Sequence, residues 1–221
     1  MIDSDRRAAP TEKETGRLEA FSDGVFAVAI TLLVLNLVVP ELPKSPTSAA
    51  LGVALTAQWP SYLAFVTSFG TILIMWVNHH AIFKLVQRVD TLFIFANGFL
   101  LLLVTAVPFA TALVARYLAT PAAPTACAVY AGEFAVVNMA FNLLWRSIAH
   151  EHRLLHPHVS QTRVDGLARS FLLAFPVYLG ATALAFVNAY ASIGICFCLW
   201  ILWAITGYER MPRREPRPTE G

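Results

Sequence analysis

Asp23, Trp76, His79, His80 and Asn97 lie inside otherwise apolar segments, and their types are the ones that could do chemistry there. Asp23 stands six positions after Arg17 in RLEAFSDGVFAVAITLLVLNL, Trp76 opens WVNHH, and Asn97 lies in TLFIFANGF. An ionisable group within an apolar span is expensive, so each such residue is a functional candidate by default. Two uses fit. Histidines can take up and release protons near neutrality, or the group can act as a permanent lock in which polar side chains on different helices satisfy one another. The lock is favoured, because buried polar groups usually persist as satisfied networks. A second cluster, His150, Glu151, His152, His156 and His158, has the residue types of a metal site. It is a single cluster interrupted by Pro157, and His79-His80 fall within a span. A solvated or subunit-contacting loop is therefore favoured over a metal centre, and no catalytic residue is assigned. A histidine-dependent membrane enzyme is kept as the alternative of another class; stoichiometric iron or zinc in purified protein would revive it.

These residues need elements to hold them. Of 221 residues, 57% are hydrophobic and 14% charged, against about 25% charged in an average soluble domain. Six stretches approach or exceed the roughly 20 apolar residues of a spanning helix: about 18–39, 53–80, 92–115, 123–147, 168–188 and 191–208. The expected fold is an all-α integral membrane bundle of six helices over 15–208, between a mobile tail at 1–14 and a basic tail at 209–221. The first stretch is read as a retained span, because Pro40-Glu41-Leu42-Pro43 after it lacks a small-residue cleavage pattern. With that topology, 14 of the 16 Lys and Arg residues fall on one side, leaving Lys44 and Arg116 on the other. Such an excess marks the cytoplasmic side and places both termini there. The partner expected is the lipid bilayer of the cell membrane, with no nucleic acid. Cys127, Cys196 and Cys198 have no disulfide or zinc spacing and read as small buried hydrophobes.

At 100° per residue, Val25, Val28, Leu32, Leu35 and Val39 form one apolar stripe on the first helix, with Thr31 at its edge and Asp23 about 140° from Val28. Arg17 and Asp23, six apart, cannot pair along one helix. Asp23 lies roughly 9 Å inside Arg17, His79 and His80 roughly 6–8 Å inside Lys84, and Asn97 about 10 Å inside Asp90. Ser22, Asp23, Trp76, Asn78, His79, His80 and Asn97 are thus expected in one layer at the inner end of the bundle. Lipid offers no partners, so they must satisfy each other. Glu133 is either part of an external vestibule or a packed, hydrogen-bonded carboxylate. Asn138 and Asn142, at i,i+4, read as interhelical hydrogen-bonding residues.

The run Arg17-Leu18-Glu19-Ala20-Phe21-Ser22-Asp23 resembles the R-x-x-x-F-S-D signature of the potassium channels related to transmembrane protein 175. Trp76-Val77-Asn78-His79-His80, Arg88-Val89-Asp90 and Pro108-Phe109 resemble its prokaryotic members in order and depth. The resemblance implies a potassium-selective channel without a T-V-G-Y-G filter loop, and without a cofactor beyond permeant potassium ions. It also implies a homotetramer around the first helix, with a hydrophobic constriction at Val28, Thr31 or Leu32, and Leu35. Arg17, Phe21, Ser22 and Asp23 would belong to the polar network that holds this helix. A ring of apolar side chains gates by dewetting and does not replace the ion's hydration shell, so moderate selectivity is expected. A proton-permeable or weakly selective cation channel on the same scaffold is the nearer alternative.

Overall fold

A computed structural model describes residues 11–45, 47–149, 154–157 and 159–209. Among these the chain forms seven α-helices and one 3-10 segment. Helix α1, Thr11–Leu32, tightens into the 3-10 turn Leu33–Asn36. It begins within the stretch expected as a mobile tail; residues 1–10 of that tail lie outside the described residues. The expected second span, 53–80, is divided. Helix α2 covers Ser48–Ala57 and α3 covers Trp59–Phe83. Pro60 is the cause: its ring has no N–H to give the carbonyl of Thr56 and would clash with it, but it is tolerated in the first turn of a new helix.

Helix α4 is Thr91–Tyr117, α5 Ala123–Ala149, α6 Gln161–Leu184 and α7 Ala189–Glu209. Asp90 caps α4 by accepting from Phe93 N at 2.8 Å, satisfying one of the donors a helix start leaves open. Asn188 does the same for α7 through Ala191 N at 3.0 Å, closing a tight α6–α7 hairpin. The loops after α3 and α5 meet at an antiparallel bridge between Val86 and Leu155.

Among the described residues, five helices are long and apolar enough to cross a membrane: Glu14–Asn36, Trp59–Phe83, Thr91–Tyr117, Ala123–Ala149 and Val164–Leu184. Of α7 the stretch that can be assessed is Ala189–Trp203, so among the described residues five such helices stand where the sequence reading expects six. Helix α5 is the hub. It packs against α4, α6 and α7, and Tyr130, Phe134, Leu144, Trp145 and Ile148 are all buried along it. Helices α3 and α7 approach so closely at Gly70 that a Cβ there would collide with the Trp200 indole. Cys127 and Cys196 are buried as expected, whereas Cys198 is exposed: two positions along a helix turn the side chain to a different face.

Helix α1, like α6, is little enclosed. Only 22% of its most apolar window is buried, and 24% of that of α6, against 61% for α5. It packs against α3 and α4 through Ser22, Phe26, Ala29 and Leu33, a 4-3-4 spacing that makes one helical stripe. Its opposite side is exposed among the described residues.

Candidate functional site

Near the C-terminal end of α3, helices α1, α3 and α4 meet in two layers of side chains. On the deep side, His79 Nε2 lies 2.8 Å from Asn97 Oδ1, the Asn97 amide donates to Ser22 Oγ at 2.9 Å, and the Ser22 hydroxyl donates to Leu18 O at 2.8 Å. Three helices are joined by one chain of bonds. Because Asn97 spends its amide on Ser22, its oxygen must accept from His79, which places the imidazole proton on Nε2. The chain ends at a backbone carbonyl, which can neither take nor pass on a proton. This branch is a clasp. Rings hold the histidine in place, Phe26 at 5.2 Å and Phe83 at 4.4 Å between centroids.

The shallower side is a ladder. Trp76 Nε1 donates to Asp23 Oδ1 at 2.8 Å, and His80 Nδ1 meets Glu19 Oε1 at 2.7 Å. Glu19 and Asp23 are four apart on α1, Trp76 and His80 four apart on α3, and the helices run in opposite directions. Each acidic residue therefore meets its partner one turn from the other pair. The Trp76 and His80 rings stack at 5.8 Å with an interplanar angle of 11°. Glu19 is the partner that sequence reasoning missed. Its i,i+4 spacing from Asp23, set against the same spacing in Trp76 and His80, was the available signal.

Not every expected member joins. Arg17 is exposed and makes no hydrogen bond or ion pair with the described residues. Phe21 is 62% exposed. Asn78 lines a cavity on another side of α3 with Asn138, Phe171 and Tyr178, since one residue from His79 turns the side chain by about 100°. Glu133 keeps one carboxylate oxygen buried without a partner among the described residues. Asn142 donates to Asn138 on its own helix and to Phe171 O on α6. Of the histidine-rich loop, His150, Glu151, His152 and His158 lie outside the described residues, and the backbone N–H of His156 donates to Leu85 O.

The face of α1 opposite the clasp is open. Val28 is 56% exposed, Leu32 41% and Leu35 71%, with Thr31 exposed beside them. Val25, the first member of the expected stripe, instead packs partly against the core. The 3-10 turn adds a feature that a uniform wheel misses. At about 120° per residue, Leu35 comes to rest directly above Leu32, roughly 6 Å further along the axis. The Thr31 hydroxyl donates to Val28 O at 2.9 Å, leaving its oxygen lone pairs on the exposed side. The arrangement sets an apolar and singly hydroxylated face against whatever lies beyond the subunit.

Residues 17–108, which carry α1, the clasp and the ladder, match the family described as "Endosomal/lysosomal potassium channel TMEM175". The chain is similar to a protein of Chamaesiphon minutus named a potassium channel, 50% identical over 89% of this chain and 97% of that one. A Streptomyces collinus protein, also named a potassium channel, is 45% identical over 80% of this chain and 84% of that one. Among solved structures, a lysosomal potassium-selective channel TMEM175 homologue from Chamaesiphon minutus superposes with a TM-score of 0.80 at 48% identity, covering 89% of this chain and 99% of that one. With identity of this order across nearly the whole chain, and the fold shared, the protein belongs to the TMEM175 family of ion channels.

Proposed function

We propose that this protein is a potassium-selective channel in which four copies of the chain surround a pore lined by α1. The observation that carries the reading is the division of α1 into a face fastened to its own subunit and an apolar face left open. Val28, Thr31, Leu32 and Leu35 form the constriction, ringed fourfold about the axis. A ring of such side chains dewets when narrow and so holds the pore shut without a moving plug. Ser22, Asp23, Trp76, His79, His80 and Asn97, joined by Glu19, fix the rotation of α1 and so decide which residues face the axis. Permeant potassium is the only ion required, and no cofactor or catalytic group enters.

The subunit crosses the cell membrane six times, with both termini cytoplasmic. Helix α7 serves as the sixth span: its 21 residues reach about 30 Å, the thickness of the hydrocarbon layer. The basic residues of 209–221 then meet the inner leaflet, whose anionic lipids attract them. Bi-ionic recordings in planar bilayers test the reading. A reversal potential that follows the potassium gradient, with sodium and protons carrying less current, is expected. One that follows the proton gradient would replace it with a proton channel on the same scaffold.

A further inference from the structure

A groove of about 320 Å³ opens between α4, α5 and α6, on helices that α1 touches only through α4. Its walls are Phe99, Met139, Leu143, Leu172 and Phe175, and Arg146 closes one end. The α5 side reads Met139, Leu143, Arg146, at helical spacings that keep all three on one face. The α6 side reads Phe175 and Leu172, with Arg169 three residues before Leu172, beside the groove and outside its lining. The two helices are antiparallel neighbours, and their register is fixed by Asn142, which donates to Phe171 O at 3.1 Å, and by the Phe141–Phe171 stack at 5.6 Å. In that register Arg169 is offset along the helix axis from the level of Arg146 by roughly 3–4 Å, less than one turn. Both arginines are exposed, and neither makes an ion pair or hydrogen bond with the described residues. The nearest carboxylate along α6, Asp165, accepts from Gln161 at 2.9 Å.

We propose that this groove binds an anionic phospholipid of the inner leaflet, its phosphate held between Arg146 and Arg169 and an acyl chain laid along Leu143, Leu172 and Phe175. Charge and direction both select this occupant. Guanidinium groups bind phosphate oxygens through paired N–H donors, and here two of them stand at the cytoplasmic end of an apolar trough. A zwitterionic lipid carries a cation that these arginines repel. The leaflet rests on the orientation proposed above, but binding itself depends on neither orientation nor conduction.

Thermal unfolding of the full-length protein in neutral detergent tests this, with titration of phosphatidylglycerol, phosphatidylcholine of the same chains, or inorganic phosphate. Phosphatidylglycerol should stabilise at the lowest concentration, and phosphate alone should not. The double variant Arg146→Gln, Arg169→Gln should weaken the phosphatidylglycerol effect roughly tenfold and leave the phosphatidylcholine effect unchanged. Leu143→Trp keeps both charges but fills the trough, and should weaken it comparably; this variant carries the test if the double variant does not fold. Equal stabilisation by the two lipids, stabilisation by phosphate alone, or an undiminished effect in the variant that folds would overturn the proposal. A smaller oligomer of Leu143→Trp in size-exclusion chromatography would overturn it in favour of a contact between subunits.

Discussion

Asn97 is the residue on which the fastening of α1 turns, because its side chain bonds to both other helices: His79 on α3 and Ser22 on α1. Asn97→Leu removes an acceptor and a donor at once, and leaves the buried His79 N–H without a partner. A loss of about 1–3 kcal/mol in unfolding free energy is expected, measured in detergent. The outer rung of the ladder is weaker. His80 and Glu19 are 35% and 25% exposed, and water screens such pairs. A double-mutant cycle of Glu19→Gln with His80→Gln should give a coupling of about 0.5–1 kcal/mol. If these contacts act as a lock, surviving His79 and His80 variants lose assembly with no change in how current depends on cytoplasmic pH. A shifted pH dependence in well-assembled channels would instead make them sensors. At this scale the sequence was informative about type and depth, since Asp23, Trp76, His79 and Asn97 do meet. It was silent on azimuth. Asn78 is in the same pentapeptide as His79 yet faces the α5–α6–α7 cavity, and only the rotation of α3 on its neighbours sets that.

Helix α1 carries the pore reading, and its last turn distinguishes it from a uniform α-helix. The 3-10 geometry stacks Leu35 over Leu32, so the two act as one hydrophobic wall rather than two offset rings. Leu32→Asn and Leu35→Asn should each hydrate the constriction, raising leak current several-fold and lowering the preference for potassium over sodium. Unchanged conductance and selectivity in both variants would show that this face does not line the path. At the opposite side of the subunit, Gly70→Ala should destabilise the α3–α7 contact by about 1–3 kcal/mol, the cost of overpacking, and Trp200→Leu in the same chain should recover part of it. Element boundaries were legible wherever a local signal exists, as with Asp90 opening α4 or the proline-rich stretch before α2. The division of the second span at Gln58 was legible too, in Pro60, though a hydropathy window runs across it. The tightening at Leu33 has no such mark, because 3-10 turns at helix ends answer to the packing of the last carbonyls and not to residue type.

For the whole molecule, the charge asymmetry and the apolar runs already imply a multi-pass bundle, and the shared fold with a TMEM175 homologue agrees. What a single sequence cannot display is the far side of α1. In the proposed tetramer the side chains that face it come from other copies, so their identity is set by symmetry and not by anything nearby in the chain. In that arrangement the open face of α1, an unpartnered stripe in one subunit, becomes a pore wall in four. The most direct test of the account is ion flux through the purified protein in liposomes, after its fourfold assembly has been verified. With a potassium gradient the account predicts rapid flux through wild-type protein, and much slower flux when sodium replaces potassium. Well-folded tetramers that pass no potassium, or that pass sodium equally well, would contradict it.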